Sequence, residues 1–496
     1  MRAEPATNRA CPAAISRRFH EVISLKVTNS HCPGCSLLCG VQIIEREGLL
    51  DVEFMKDCDI NSGKLCRFGI ELARYYGELQ TSALAGGREV AYEEAVTLAA
   101  KALSSSRGAG VALCTGDATT EELYALSLFA DAAGLATTLG LGHHMHAVGL
   151  EAFHKTVTHP DVLDHAQMIV LVDIDPAYQY PLLARRLMLV REQGTTIVSI
   201  GPEKEHLSFY TDARYPCHPS RTVDALRAFV EHAMPHALYV VPCGMYGDAA
   251  LTAQVNNICA ATSSRALFVT DFANVRGGLA LGMESLSHGI DGLVASIEAG
   301  DVTSLVLVES PLFSSYLDDA RFWAACETLD ALVVLQSHRC EAYPPNAIVL
   351  PLPPFYQRKG TLRNVCNRRL VLSGEAEGAV AVLRDLGAAM GHGLSPFDAV
   401  AKEARSLCDA WYETVATFTP VELPPQAVVE GPCHRYVPNP YLVRGMPNPR
   451  SKRVGLDLYA VAKGKERYVI REDVAEDVVF AYEKDPRYTL PLQPYA

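Results

Sequence analysis

The chain has 496 residues, of which 49% are apolar and 20% charged, enough for two or three domains around sizeable cores. Its formal net charge of −13 argues against non-specific binding to nucleic acid or to anionic membranes. No apolar run approaches the roughly 18 residues that a membrane-spanning helix needs, so no membrane insertion is expected.

Residues 1–26 read as a disordered leader. Ser16-Arg17-Arg18-Phe19 echoes a twin-arginine export signal, but His20, Glu21 and Lys26 break up the apolar stretch that should follow, which makes the cytoplasm the expected compartment. Residues 27–80 are rich in Cys and turn residues, with only short strands such as CGVQIIE. From about residue 110 the sequence alternates β-branched runs with helical stretches. Gly110–Gly116 is a predicted strand, and Thr119-Thr120-Glu121-Glu122 follows as a capping box that opens a helix. MIVLVDID, TTIVSIG, ALYVV, RALFVTD, SLVLVES, ALVVLQS and NAIVLPLP continue the series, with helical segments between them. Near-continuous apolar strands separated by helices predict parallel sheets covered on both faces. The expected class is therefore α/β: a small N-terminal cysteine domain plus two doubly wound lobes. The first lobe is assigned to 81–135 and 304–375, and the second to 136–303. Residues 376–496 form a helical segment and then a proline-rich arm.

Fifteen cysteines in a reducing compartment do not suggest a disulfide framework. Five fall between Cys32 and Cys66, and the others are scattered singly like small buried hydrophobes. Cys32-Pro-Gly-Cys35-Ser-Leu-Leu-Cys39 places three thiols on one loop, and a distant cysteine can close the set. Such soft ligands suit an iron–sulfur cluster or zinc. Zinc sites more often use two CxxC hooks, and the second hook is missing here, which favours a [4Fe–4S] cluster. By spacing alone the distant ligand is either Cys58 or Cys66.

An ordered series of segments over roughly residues 30–375 resembles the molybdopterin oxidoreductase superfamily, which includes formate dehydrogenases, the formylmethanofuran dehydrogenase B subunit and the complex I large subunit. The series starts at the CxxCxxxC motif and continues through 81–103, Gly142-His143-His144-Met145-His146 and Asp175-Pro176. It then includes Phe272-Ala273-Asn274-Val275-Arg276-Gly277-Gly278 and ends on AIVLP followed by Gln357-Arg358-Lys359-Gly360-Thr361-Leu362-Arg363-Asn364. The resemblance implies Cys66 as the fourth cluster ligand. It also implies molybdenum- or tungsten-bearing pterin guanine dinucleotides, with His143, Asp175, Pro176, Asn274, Gly277, Gly360, Thr361 and Asn364 lining their cavity. Phosphates in such sites rest on glycine-rich turns and helix N-termini.

Several positions depart from the family pattern. Gly142 stands where the family has its metal-ligand Cys, and Arg67 follows the fourth cluster Cys where it has Lys. Gly201-Pro202-Glu203, the loop from Pro219 to Asp224, and Gln357 replace three further motifs. No β-barrel pattern follows residue 375, a trait shared with the formylmethanofuran dehydrogenase B subunit. The preferred expectation is an oxidoreductase subunit that relays electrons through its cluster beside a degenerate pterin site, with other subunits of a redox complex as partners. A catalytic subunit acting on formate or formylmethanofuran, and an assembly subunit with a structural cluster, are the alternatives.

Overall fold

The computed structural model describes residues 25–423 apart from 71, 78, 107, 115, 140–160, 173, 175, 177–179, 202–209, 218–220, 231–234, 243–248, 271, 284–288, 310–319, 340–342 and 414–417. The expected leader up to residue 24 and the proline-rich arm from 424 onward therefore lie outside the described residues, as do Gly142, His143, His144, His146 and Asp175.

The chain begins with an antiparallel sheet of Leu25–His31, Gly40–Arg46 and Leu49–Phe54. Glu47 and Gly48 both take positive φ between the second and third strands, which matches the right-handed twist of a tight hairpin.

The larger sheet has seven strands. Five are parallel and lie in the order Ala347–Pro351, Ala331–Gln336, Val302–Val308, Ala109–Cys114, Leu135–Leu139. An antiparallel hairpin, Ala83–Ala85 and Arg88–Val90, closes one edge by turning on Gly86 and Gly87. After Leu139 the chain leaves to build a second, wholly parallel sheet, and it returns at Val302. That sheet runs Ala213–Pro216, Thr196–Gly201, Met168–Val172, Leu238–Pro242, Arg265–Val269.

The α/β class and the paired doubly wound sheets thus agree with the sequence expectation. The physical reason is visible in the central strands: every residue of Met168–Val172 and of Ala331–Gln336 is buried. Each Val or Leu so covered contributes about 1.5–3 kcal/mol. That is possible only with helices on both faces.

Both sheets reverse their winding direction once. In the larger sheet the reversal lies between Ala109–Cys114 and Val302–Val308, and in the smaller between Met168–Val172 and Leu238–Pro242. Ligands of open α/β sheets bind beyond the carboxyl ends of strands at such reversals.

The predicted capping box is present at the larger reversal. The Thr119 hydroxyl accepts from the Glu122 amide at 3.1 Å and the Glu122 carboxylate accepts from the Thr119 amide at 2.7 Å, opening the helix Thr120–Ala133. Helices Ala379–Ala389 and Phe397–Glu413 pack against it, and Tyr92–Ser105 packs in turn against Ala379–Ala389. A hairpin of Lys359–Arg363 and Arg369–Ser373 connects this lobe to the N-terminal sheet, where the Ser373 hydroxyl donates to the Asn29 carbonyl at 2.9 Å. No helix among the described residues is long and apolar enough to cross a membrane.

Candidate metal centre

Cys32, Cys35, Cys39 and Cys66 line one cavity, together with Gly34, Leu37, Phe68 and Leu182. Cys58 does not line it. Its sulfur instead accepts the Gly40 amide at 3.3 Å. The fold therefore brings the four expected thiols to one cavity, while Cys58, near enough to Cys39 to act on it electrostatically, lies outside that lining. Among the described residues no three metal-ligating side chains converge on a single-ion position, so the shared cavity is what unites the four thiols.

Local bonding explains why the loop takes this shape. The Cys32 amide donates to the Cys39 carbonyl at 2.8 Å, closing the loop, and the Leu38 amide donates to the Cys35 carbonyl at 3.1 Å. Leu38 takes a φ of 52°, a conformation that costs a non-glycine residue about 1 kcal/mol or more and persists only when its surroundings impose it. Ser36 supplies much of that constraint. Its amide donates to the Thr270 carbonyl at 3.0 Å, its hydroxyl accepts the Thr270 amide at 2.9 Å, and its carbonyl accepts the Val365 amide at 2.7 Å.

Asn61 fixes the approach of Cys66. Its side-chain oxygen accepts the Gly40 amide at 3.0 Å, while its amide group donates to the carbonyls of Gly40 at 3.0 Å and Lys64 at 2.9 Å. One buried side chain thus joins the strand after Cys39 to the segment before Cys66. Arg186 adds a second tie through the Asp59 carbonyl at 3.0 Å while pairing with Asp164, so it is engaged within the protein. Gly34 is required sterically, because a Cβ there would lie 2.5 Å from the Phe68 ring.

Burial dominates the electrostatics of these thiols. Burial pushes the Cys32 and Cys39 thiols well above the ordinary thiol range, and the neighbouring cysteines push them further. Burial also raises Cys66, but the backbone N–H groups of Gly69 and Phe68 work against it by favouring the thiolate. In the absence of metal these thiols hold their protons near neutral pH, so ligation must release them.

The remaining expected site residues lie mostly at the reversal of the larger sheet. Asn274 donates to the Ala118 carbonyl at 3.0 Å and the Thr120 hydroxyl at 3.3 Å, and its oxygen accepts the Arg363 amide at 2.8 Å. Thr361 donates to Glu121 through its amide at 2.7 Å and its hydroxyl at 2.9 Å. Burial raises the Glu121 carboxyl above its ordinary range, partly offset by these two bonds. The Asn364 oxygen accepts the amides of Cys366 and Arg368, both at 3.0 Å, which shapes its own turn. Gly277 packs on the Asn274 side chain. Pro176 sits apart from these, at the reversal of the smaller sheet, where its carbonyl accepts the Tyr180 amide at 2.9 Å. The structure therefore unites Asn274, Gly277, Gly360 and Thr361 around the start of one helix, but the polar side chains among them are engaged with protein partners.

Gly360 has a φ of 144°, and a Cβ there would lie 2.7 Å from a Glu121 oxygen and 2.8 Å from the Thr119 Cβ. Gly360→Ala is expected to cost about 2 kcal/mol, read as a lowered denaturation midpoint.

Arg358, one residue beyond Gln357, was not singled out by the sequence. It is wholly buried and donates to Glu122 at 3.2 Å, to Glu309 and to the Pro353 carbonyl at 2.9 Å. Burial opposes its charge, but the two carboxylates more than offset this and raise its pKa. Glu309 follows the strand Val302–Val308 directly, so the guanidinium lies at the sheet reversal where a ligand would otherwise be expected. Glu122 also accepts the Ala379 amide at 2.7 Å, so the N-termini of two helices help to neutralise the Glu122 carboxylate.

A family model for molybdopterin oxidoreductase matches residues 87–368. The chain belongs to the molybdopterin oxidoreductase family. Among characterised members, the F420-dependent formate dehydrogenase 2 subunit alpha of Methanococcus maripaludis is 27% identical over 216 residues, covering 40% of this chain and 32% of that protein. The F420-dependent formate dehydrogenase subunit alpha of Methanocaldococcus jannaschii is 22% identical over 222 residues, covering 42% and 33%. This chain thus spans about a third of the length of these two relatives, whose matched shares are 32% and 33%. Among solved structures, a chain of the formyltransferase/hydrolase complex FhcABCD from Methylorubrum extorquens, in complex with methylofuran, is 16% identical with a TM-score of 0.46. That likeness covers 65% of this chain and 100% of the other.

Members of this family are oxidoreductase-type proteins, and the family implies a molybdopterin and its metal. In this member the four-cysteine cavity fits an iron–sulfur cluster by donor type and number. The described part of the expected pterin set fits a bound dinucleotide less well, because Asn274 and Thr361 already donate to protein acceptors.

Proposed function

We propose that this chain is an electron-relaying subunit of a multi-subunit oxidoreductase, with one [4Fe–4S] cluster held by Cys32, Cys35, Cys39 and Cys66. The observation that carries the reading is the shared cavity of four thiols drawn from two separate segments. A cluster of this kind exchanges single electrons at a potential set by burial and hydrogen bonding. The chain's own contribution is to hold four sulfurs on a loop closed by backbone bonds, and to direct the Phe68 and Gly69 N–H groups at one of them. Leu37, Phe68 and Leu182 supply an apolar wall that limits water. The relatives are named as subunits of formate dehydrogenases, which supports partner subunits here.

The pterin site is read as degenerate in this chain, with the two α/β lobes serving as scaffold. The supporting observation is the Glu122–Arg358–Glu309 network at the larger sheet's reversal. A second reading, a catalytic molybdenum or tungsten subunit acting on formate or a formyl group, draws on the family match across both lobes.

Metal analysis and low-temperature EPR of anaerobically purified protein test both readings. The relay reading expects about four irons per chain and a signal on reduction. Absence of iron overturns it. Near-stoichiometric molybdenum or tungsten with extractable pterin would favour the catalytic reading instead.

A further inference from the structure

The chain beyond helix Phe397–Glu413 is tied to a helix of the other lobe. Helix Ala249–Thr262 lies between strands Leu238–Pro242 and Arg265–Val269 of the smaller sheet, whereas Phe397–Glu413 packs against Thr120–Ala133 beside the larger one. The Asn257 side chain donates to the Val421 carbonyl at 2.9 Å and accepts the Val421 amide at 2.8 Å. The buried Asn256 donates to the Thr419 carbonyl at 2.7 Å. An Asn side chain carries both an acceptor and a donor group, so it can pair with a main chain as a neighbouring strand would. Pro420 disfavours helical geometry at Thr419, and residues 418–423 are neither helix nor strand, which leaves their main-chain groups open to that pairing.

The loop that carries Cys32, Cys35 and Cys39 is itself bonded to both lobes. Ser36 meets Thr270, which follows strand Arg265–Val269 of the smaller sheet, through its amide at 3.0 Å and its hydroxyl at 2.9 Å. The Ser36 carbonyl accepts the amide of Val365, which lies in the turn of the hairpin that Thr361 fastens to Glu121 of the larger lobe. A shift of one lobe against the other therefore acts on Ser36 from both sides. Leu38, held at a φ of 52°, keeps that conformation only while such outside ties persist.

We propose that residues 419–421 are a strap that fastens the smaller lobe to the larger and so keeps the cysteine loop in its closed shape. The strap adds to the joint at Asn274, whose amide donates to the Gly116 carbonyl at 2.8 Å. The Asn257 bonds to Val421 are exposed to solvent, whereas those of the Asn274 side chain to Ala118 and Thr120 are buried. The strap is thus the tie that opens more readily. The inference concerns the shape of the loop and stands apart from what its thiols hold.

The test is hydrogen–deuterium exchange of the full chain, read by mass spectrometry, in wild type, Asn257→Ala and Val421→Pro. The two variants break the same pair from opposite sides: alanine removes the side-chain amide, and proline removes the backbone N–H. Each is expected to speed exchange about three- to tenfold in the strap, in residues 270–276 and in the loop 32–39. The central strands Met168–Val172 and Ala331–Gln336 should keep wild-type rates. Faster exchange confined to the strap or to helix Ala249–Thr262 means a local anchor and overturns the proposal. A uniform rise that includes the central strands means general destabilisation and overturns it too, as does a loop that responds to only one of two folded variants. If one variant fails to fold, the other decides by the same criteria.

Discussion

Replacing Cys66 by serine is expected to abolish the iron–sulfur EPR signal of the anaerobically purified protein, while Cys58→Ser leaves it in place. Iron content should fall to a small fraction of wild type in the first variant and stay close to wild type in the second. The two cysteines lie in the same segment, yet only Cys66 lines the cavity with Cys32, Cys35 and Cys39. Cys58 faces the Gly40 amide, where its removal deletes one weak sulfur contact. Serine is nearly isosteric with cysteine but is a harder and much less acidic donor, so the fold can survive while the ligand is lost. An intact signal in Cys66→Ser, or its loss in Cys58→Ser, would reverse the ligand assignment.

The second large effect is expected at Arg358. Arg358→Met should lower unfolding free energy by about 3–5 kcal/mol, because it leaves two buried carboxylates without their cation. Glu122 would keep the backbone N–H groups of Thr119 and Ala379, but both carboxylates would lose the guanidinium they share. Equilibrium denaturation, followed by circular dichroism, reads the change as a lower midpoint. A loss below about 1 kcal/mol would mean that the network contributes no more than a surface ion pair does. The variant also bears on the site: Arg358 occupies the sheet reversal, and its removal frees that position without altering any cluster ligand.

Much of the architecture was legible in the sequence because it is local. Strands such as Met168–Val172 declare themselves by unbroken apolar runs, and the Thr119/Glu122 box marks the start of its helix within four residues. The CxxCxxxC loop is equally local, and its three sulfurs do meet. What escaped was long-range. Asn61 looks like one more polar turn residue, and nothing in its neighbourhood reveals that it bridges Gly40 and Lys64. Arg358 and Glu122 are separated by 236 positions, so no window of sequence contains both. Asn274 and Thr361 were expected to contact a bound cofactor from their motifs alone, whereas the structure gives their polar atoms to Thr120, Arg363 and Glu121. A motif identifies which residues matter but not whether a ligand or the protein satisfies them.

The bonds of Ser36 have a consequence for biosynthesis. This residue sits between Cys35 and Cys39, two of the proposed cluster ligands, yet its partners, Thr270 and Val365, belong to segments made much later. At ordinary rates of synthesis the cysteine loop emerges from the ribosome well before either partner exists. The loop therefore reaches its final hydrogen bonding only after both lobes are made, and under the proposed cluster assignment iron loading would follow their folding. Under the same assignment, Cys32, Cys35 and Cys39 would have to stay reduced and unmetallated during that interval, a demand that falls on the nascent chain.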